Sequence, residues 1–243
     1  MLKESATARV AVLCSKRAPG LDELLSHPQR GKLFEISCVI TTESHLIGQE
    51  RIEAAGVPVM THSIRHFFEE RGARLSDRKV RADYDAVTAA ALRVIGVDTV
   101  LLLGYLYVLT SPMLDMFPDR ILNIHDSDLT LIRPDGSRRY TGLHSTRDAI
   151  LAGETETRSA VHFVTSTLDG GPVLMLSDAY PIAPFATEAA LSASIDIVRA
   201  YSYAHREWMM RNEWGSLAAR SLEYLAAGIV SVERKDDREL VSV

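Results

Sequence analysis

From Arg9 to His125 the chain alternates short, almost wholly apolar runs with segments of helical spacing, and that alternation limits the folds open to it more than any other feature. Arg9-Val10-Ala11-Val12-Leu13-Cys14 and Phe34-Glu35-Ile36-Ser37-Cys38-Val39-Ile40 read as strands, as do residues 57–60, 97–104 and 120–125. Between them, residues 21–25, 48–55 and 83–95 carry helical spacing, the last two stopped by Gly56 and Gly96. Strands apolar on both faces and separated by helices imply βαβ units: a parallel sheet covered by helices on both sides.

The expected class is therefore α/β, with a Rossmann-like, mostly parallel sheet. In such sheets ligands collect at the carboxyl ends of the strands. Ser15, Gly104-Tyr105 and His125 fall at such ends. After His125 the pattern changes. A polar loop over 126–142 precedes a helix over 143–152 and a strand over 160–165. Gly170-Gly171-Pro172 marks a turn, after which residues 173–182 are expected to extend the sheet in antiparallel sense. Thr187 is expected to cap a helix running to 213, with Leu191, Ile195, Val198, Tyr201, Ala204 and Trp208 on its core face. A shorter helix over 217–227 and a charged tail over 233–239 complete the chain. No repeat or linker divides it, so a single domain over 1–243 is expected, with its core at about 8–230.

Composition removes several functions. The 243 residues carry a formal net charge of −5 without a block of like charge, which argues against a nucleic-acid surface. Arg133, Arg138 and Arg139 form a local cluster that reads as a solvated loop. Only Cys14 and Cys38 are present, each in an apolar run, so neither a disulfide framework nor a zinc site is expected. The first seven residues lack the apolar stretch of a signal peptide, and the run over 100–109 is about half of what a membrane span needs. A cytoplasmic protein without membrane contact is expected.

The chemistry gathers in two places. Arg120-Ile121-Leu122-Asn123-Ile124-His125 is an apolar strand ending in an amide and an imidazole. Val161-His162-Phe163-Val164, followed by Leu168-Asp169-Gly170-Gly171-Pro172, adds a second imidazole and a carboxylate. Alone, Asn123 could satisfy backbone at a strand end, His125 could be a bonded core histidine, and Asp169 could cap its turn. Together they can hold a carbonyl oxygen, move a proton and stabilise developing charge.

These segments, with Gly142-Leu143-His144 between them, resemble the folate-dependent formyltransferases, the nearest branch being the phosphoribosylglycinamide (GAR) formyltransferases of purine synthesis. The resemblance spans about residues 8–230 and is strongest over 97–173. It implies transfer of a formyl group from 10-formyltetrahydrofolate to a primary amine, without a metal. It implies that Asn123 donates to the formyl oxygen, that His125 stabilises the oxyanion, and that Asp169 orients that ring and helps take the amine's proton. Folate is expected against Tyr105, Leu106, Tyr107, Val108, Leu109, Thr165, Leu168 and Asp169. The acceptor is expected near Ser15, Lys16, Arg17 and His162, with His144 structural or adjacent to substrate.

Three departures bear on the acceptor. The family's glycine-rich loop after the first strand, whose N–H groups cradle a phosphate, is here Ser15-Lys16-Arg17-Ala18-Pro19-Gly20; Pro19 lacks an N–H, and Lys16 and Arg17 offer charge instead. The proline that follows the family histidine is Asp126, in Asp126-Ser127-Asp128, where a carboxylate pointing inward would favour the protonated ring. The loop over 126–142 is several residues longer than the family's and contains the turn signal Pro134-Asp135-Gly136. The leading acceptor is GAR. Another amine, such as an amino sugar nucleotide, and a non-catalytic folate-binding relative are the alternatives; deformylation of the folate is disfavoured by the missing N-terminal regulatory domain. The partners are the amine and folate, and a homodimer is a candidate assembly.

Overall fold

A computed structural model describes residues 7–235 and 238–242. Its first half follows the expected alternation: β1 (Ala8–Cys14), α1 (Leu21–Leu25), β2 (Phe34–Thr41), α2 (Gln49–Ala54), β3 (Val59–Thr61), α3 (Ile64–Glu69), α4 (Arg78–Ile95), β4 (Thr99–Leu102), α5 (Ser111–Met116) and β5 (Ile121–His125). Then come α6 (Ser145–Leu151), β6 (Glu156–Thr157), β7 (Ala160–Phe163), β8 (Val173–Leu176), β9 (Tyr180–Pro181), α7 (Pro184–Leu191), α8 (Ile195–Ala226), β10 (Ser231–Lys235) and β11 (Arg238–Ser242).

One seven-stranded sheet runs β3-β2-β1-β4-β5-β7-β8. The pairs from β3 to β5 are parallel, whereas β7 and β8 add on in antiparallel sense. The parallel part is what the alternation predicts; the antiparallel sense, expected for residues 173–182, begins one strand earlier, at β7. Successive residues of β1 feed opposite layers, as the period of two demands. Val10, Val12 and Cys14 pack with Leu21 and Leu24 of α1 and with Trp214 and Leu217 of α8. Ala11 and Leu13 pack with Ala89 and Leu92 of α4 and Met113 of α5. Helix α1 reaches α8 closely because Gly20 sits there with φ 84°, where a Cβ would lie 2.6 Å from the Gly215 nitrogen.

Several elements differ from expectation for local reasons. Helix α4 starts at Arg78 rather than 83, because the Asp77 carboxylate accepts from the Lys79 and Val80 N–H groups as an N-cap. Thr187 caps nothing. It lies inside α7, which starts at Pro184, and Ala193 at φ 57° ends that stretch. Helix α8 then runs unbroken through residues 214–216, where a gap between two helices was expected. Of residues 173–182, only β8 extends the main sheet; β9 turns away to pair with β6. The expected charged tail contains the antiparallel pair β10–β11, with Asp236 and Asp237 outside the described residues. Residues 1–6, which bear on the signal-peptide reading, also lie outside them. No helix among the described residues is long and apolar enough to cross a membrane.

Candidate active site

Strand β1 lies between β2 and β4, so the chain's strand order reverses there and the loops after β1 and β4 diverge. Next to that divergence the carboxyl end of β5 carries Asn123 and His125, and β7 lies antiparallel beside it with Asn123 opposite His162. Asn123 Nδ2 is 3.0 Å from His162 Nε2, and His162 Nδ1 is 2.9 Å from the Phe163 carbonyl oxygen. A carbonyl only accepts, so the ring proton belongs on Nδ1, and Nε2 accepts from the Asn123 amide. Burial pushes the His162 pKa down to about 4, which keeps this acceptor neutral. The Asn123 amide is thereby turned nitrogen-first, with a second N–H still free to donate.

Asp169 reaches the same point from the turn after β7. Its backbone is left-handed, φ 48°, uncommon for a non-glycine residue. Its Oδ2 accepts from the Gly142 N–H at 2.7 Å. His125 Nδ1 lies 3.7 Å from the same oxygen, and His162 Nε2 lies 3.7 Å from Oδ1. The turn leaves no spare room: a Cβ on Gly171 would fall 1.9 Å from the Phe163 carbonyl oxygen. His125 is 7 % exposed, and its Nε2 is a buried atom without a hydrogen-bond partner. An unmet buried donor or acceptor costs about 1–3 kcal/mol, so this atom is held in wait for something.

Asp126 does not present a free carboxylate to His125. Burial raises its pKa, but Arg206, His125 and Ser145 overcome that and hold it below the usual range. Its Oδ1 accepts from Ser145 Oγ, its Oδ2 from Thr146 Oγ1 and Arg206 Nε, and its backbone oxygen from Thr146 Oγ1. It lies 3.9 Å from His125 Nδ1, tying β5 to α6 and α8.

A cavity of about 340 Å³ opens on this cluster. Asn123, His125, His162 and Asp169 line it together with Tyr105, Leu106, Tyr107, Val108, Leu109, Thr165 and Leu168. The structure thus brings the whole expected folate set to one place. The loop after β4 is held from behind: Arg81 Nη2 donates to Tyr105 Oη at 2.9 Å, and Asp85 Oδ2 accepts from both the N–H and hydroxyl of Thr110 at 2.7 Å. Arg81 and Asp85 form a buried ion pair one helical turn apart on α4. Their i, i+4 spacing was visible in the sequence, but Arg81 fell outside the expected helix.

The expected acceptor set does not stay together. Only His162 lines the cavity. Ser15 is fully buried, its Oγ accepting from Leu106 N and Thr42 Oγ1, so it supports the loop instead of meeting a ligand. Lys16 is exposed, and Arg17 is engaged by both oxygens of Glu207 on α8. Arg17 faces a separate cavity of about 420 Å³ that Arg51 and Arg211 share. His144 is exposed at the N-cap position of α6, outside the main cavity. Gly142 stood in the family pattern without a role, and no signal marked Arg206 or the Arg81–Asp85 pair as part of the site. Trp214, which also lines the cavity, fell in the gap expected between two helices. Among the described residues, no group of three or more His, Cys, Asp or Glu is placed to hold a metal ion.

Comparison with known proteins gives this arrangement a family. The formyl transferase family profile matches residues 8–203. The phosphoribosylglycinamide formyltransferase of Escherichia coli is 30% identical over 168 residues, covering 68% of this chain and 70% of that protein. The trifunctional purine biosynthetic protein adenosine-3 of Drosophila pseudoobscura pseudoobscura is 30% identical over 198 residues, 80% of this chain; the match spans only 13% of that much longer protein. The crystal structure of glycinamide ribonucleotide transformylase 1 from Symbiobacterium toebii superposes with a TM-score of 0.71 at 26% identity, covering 98% of this chain and 94% of that one. The chain belongs to the formyl transferase family.

Proposed function

We propose that this chain is a cytoplasmic, single-domain enzyme that transfers the formyl group of 10-formyltetrahydrofolate to a primary amine, with GAR the leading acceptor. The observation that carries the reading is the convergence of Asn123, His125 and Asp169 on one cavity, with His125 Nε2 left unpaired at its wall. The named relatives that act on GAR support that acceptor.

The geometry supports the following course of reaction. The folate ring system enters along Tyr105 to Leu109, where the backbone of Tyr107, Val108 and Leu109 takes part in none of the described hydrogen bonds and is free to read a planar, hydrogen-bonding heterocycle. The formyl oxygen sits at the free N–H of Asn123. The amine lone pair attacks the formyl carbon, forming a C–N bond and placing a negative charge on that oxygen. The Asn123 N–H and an N–H on His125 Nε2 donate to the oxyanion, the kind of preorganised stabilisation worth about 3–4 kcal/mol per donor. Asp169, beside His125 Nδ1, keeps the ring oriented and takes the amine's proton through water. The oxyanion then collapses, the bond from carbon to the folate nitrogen breaks, and that nitrogen receives a proton.

The test is an assay with 10-formyltetrahydrofolate and a panel of GAR, an amino sugar nucleotide, and no amine. The reading expects formylated GAR. Turnover on the amino sugar alone removes the GAR assignment, formate release without an amine replaces transfer by hydrolysis, and folate binding without turnover favours a binding relative.

A further inference from the structure

The lengthened loop after β5 has a definite internal structure. Residues Ile132 and Arg138 pair as an antiparallel bridge, Arg139 N–H donates to the Leu131 carbonyl, and Gly136 N–H closes the expected Pro134-Asp135-Gly136 turn on Arg133. Arg133 Nη1 donates to the Arg138 carbonyl at 2.6 Å, and its Nη2 donates to the Arg139 carbonyl at 2.5 Å. Asp135 accepts from the N–H and hydroxyl of Ser137. Farther along, Arg139 pairs with Glu154, and Tyr140 Oη donates to the same carboxylate. The excursion is a small braced hairpin, tied back to α6 and its following turn.

The returning arm of this hairpin delivers one guanidinium to the turn that carries Asp169. Arg138 Nη2 donates to the Gly171 carbonyl at 2.5 Å and reaches the Gly170 carbonyl at 3.4 Å. Its Nη1 is buried without a partner. Four residues further on, the same segment supplies Gly142, whose N–H holds Asp169 Oδ2. The left-handed Asp169 and the space-filled Gly170-Gly171 need bracing, and the hairpin grips them from both sides: the carbonyls after Asp169 and the carboxylate itself.

We propose that Arg138 is a positioning residue for Asp169, and that the lengthened loop exists in part to place its guanidinium on the Gly170–Gly171 carbonyls. Arg138 lies outside the lining of the main cavity, so it touches neither substrate and acts through the turn. The Arg133, Arg138 and Arg139 cluster thereby resolves into three different tasks: Arg133 folds the hairpin, Arg139 anchors it, and Arg138 meets the site. The inference rests on the formyl-transfer reading for its kinetic readout but not for its structural one.

The experiment uses the full chain as wild type, Arg138→Lys and Arg138→Met. Two measurements are made: kcat and both KM values in the formyl-transfer assay, and the hydrogen-exchange rate of the Gly142 amide. Arg138→Met is expected to lower kcat 10- to 100-fold, with both KM values within twofold and the melting temperature close to wild type. Its Gly142 amide is expected to exchange at least tenfold faster, with Arg138→Lys intermediate in both readouts. A kcat within twofold of wild type overturns the proposal, as does unchanged Gly142 exchange. A kcat loss matched by a collapse in melting temperature overturns it too, leaving only a structural role. If the wild type transfers no formyl group, the reading of the site fails, while the Gly142 exchange still decides whether Arg138 positions the turn.

Discussion

Asn123 and His162 face each other across the β5–β7 ladder, Nδ2 to Nε2 at 3.0 Å, and this one cross-strand bond determines which way the amide presents its donors. The histidine is therefore placed to orient the amide, accepting its N–H through Nε2. Asn123→Ala removes the donor outright and is expected to lower kcat by about 10²–10³, the range for loss of an oxyanion donor. His162→Phe keeps a buried ring but frees the amide, and a smaller loss of about tenfold in kcat is expected, corresponding to about 1.4 kcal/mol. Steady-state kinetics of the two variants check the order; a larger loss in His162→Phe would place proton transfer on His162.

The depressed pKa of His162 makes stability depend on pH in a stated direction. Burial lowers it from an ordinary value of 6.5 to about 4. Between those values the unfolded chain binds a proton that the folded chain refuses. The contribution is fully present above pH 6.5 and is lost as pH falls towards 4, at about 1.4 kcal/mol per pH unit. Urea denaturation at pH 7 and pH 5 is expected to show a loss about 2 kcal/mol larger in wild type than in His162→Gln, from that slope acting below pH 6.5. Equal losses in the two proteins would mean that His162 titrates normally.

The Arg81–Asp85 pair holds the β4–α5 loop at Tyr105 and Thr110, on the side of the cavity where folate is proposed to bind. Tyr105→Phe deletes a single hydrogen bond, worth about 1 kcal/mol. The KM for 10-formyltetrahydrofolate is expected to rise about fivefold, with the acceptor KM within twofold. Varying each substrate in turn checks this. An equal rise in both would show that the loop is not specific to the donor.

Glycines 171 and 136 both lie in turns, yet they are expected to respond differently to alanine. A Cβ at Gly171 collides with the Phe163 carbonyl oxygen at 1.9 Å, whereas Gly136, at φ 83°, has nothing within 4 Å. Gly171→Ala is expected to cost about 3 kcal/mol or more from overpacking, and Gly136→Ala about 1–2 kcal/mol from the left-handed backbone alone. Thermal melting separates them; similar losses would mean that the tight turn relaxes.

The parallel half of the sheet was legible because strands buried on both faces must be continuously apolar, as 10–14 and 100–103 are. The residues that line the cavity were legible as a set through an ordered family pattern, and the topology that brings Asn123 opposite His162 needs only the antiparallel addition of β7. Short elements were missed where tertiary contacts decide them. Helix α5 has Pro112 in its first turn and one buried residue, Met113, too little periodicity to read. The break between α7 and α8 depends on Ala193 adopting a left-handed backbone that alanine seldom shows, which no local signal announces. Ser15 looked available because it follows a strand, but the loop after β4 lies across it and takes its hydroxyl as an acceptor. Arg138 looked solvated because its partners are carbonyls remote in sequence.

In the proposed reaction His125, poised between Asp169 and an open cavity, stabilises the charge that develops during formyl transfer. The measurement that tests it most directly is single-turnover formyl transfer from 10-formyltetrahydrofolate to GAR by wild type and His125→Asn, each saturated with both substrates. Product is expected in wild type, and a rate lower by about 10²–10⁴ in the variant, with folate affinity within threefold, as for loss of a group acting only in the transition state. A variant that transfers formyl within fivefold of the wild-type rate would contradict it.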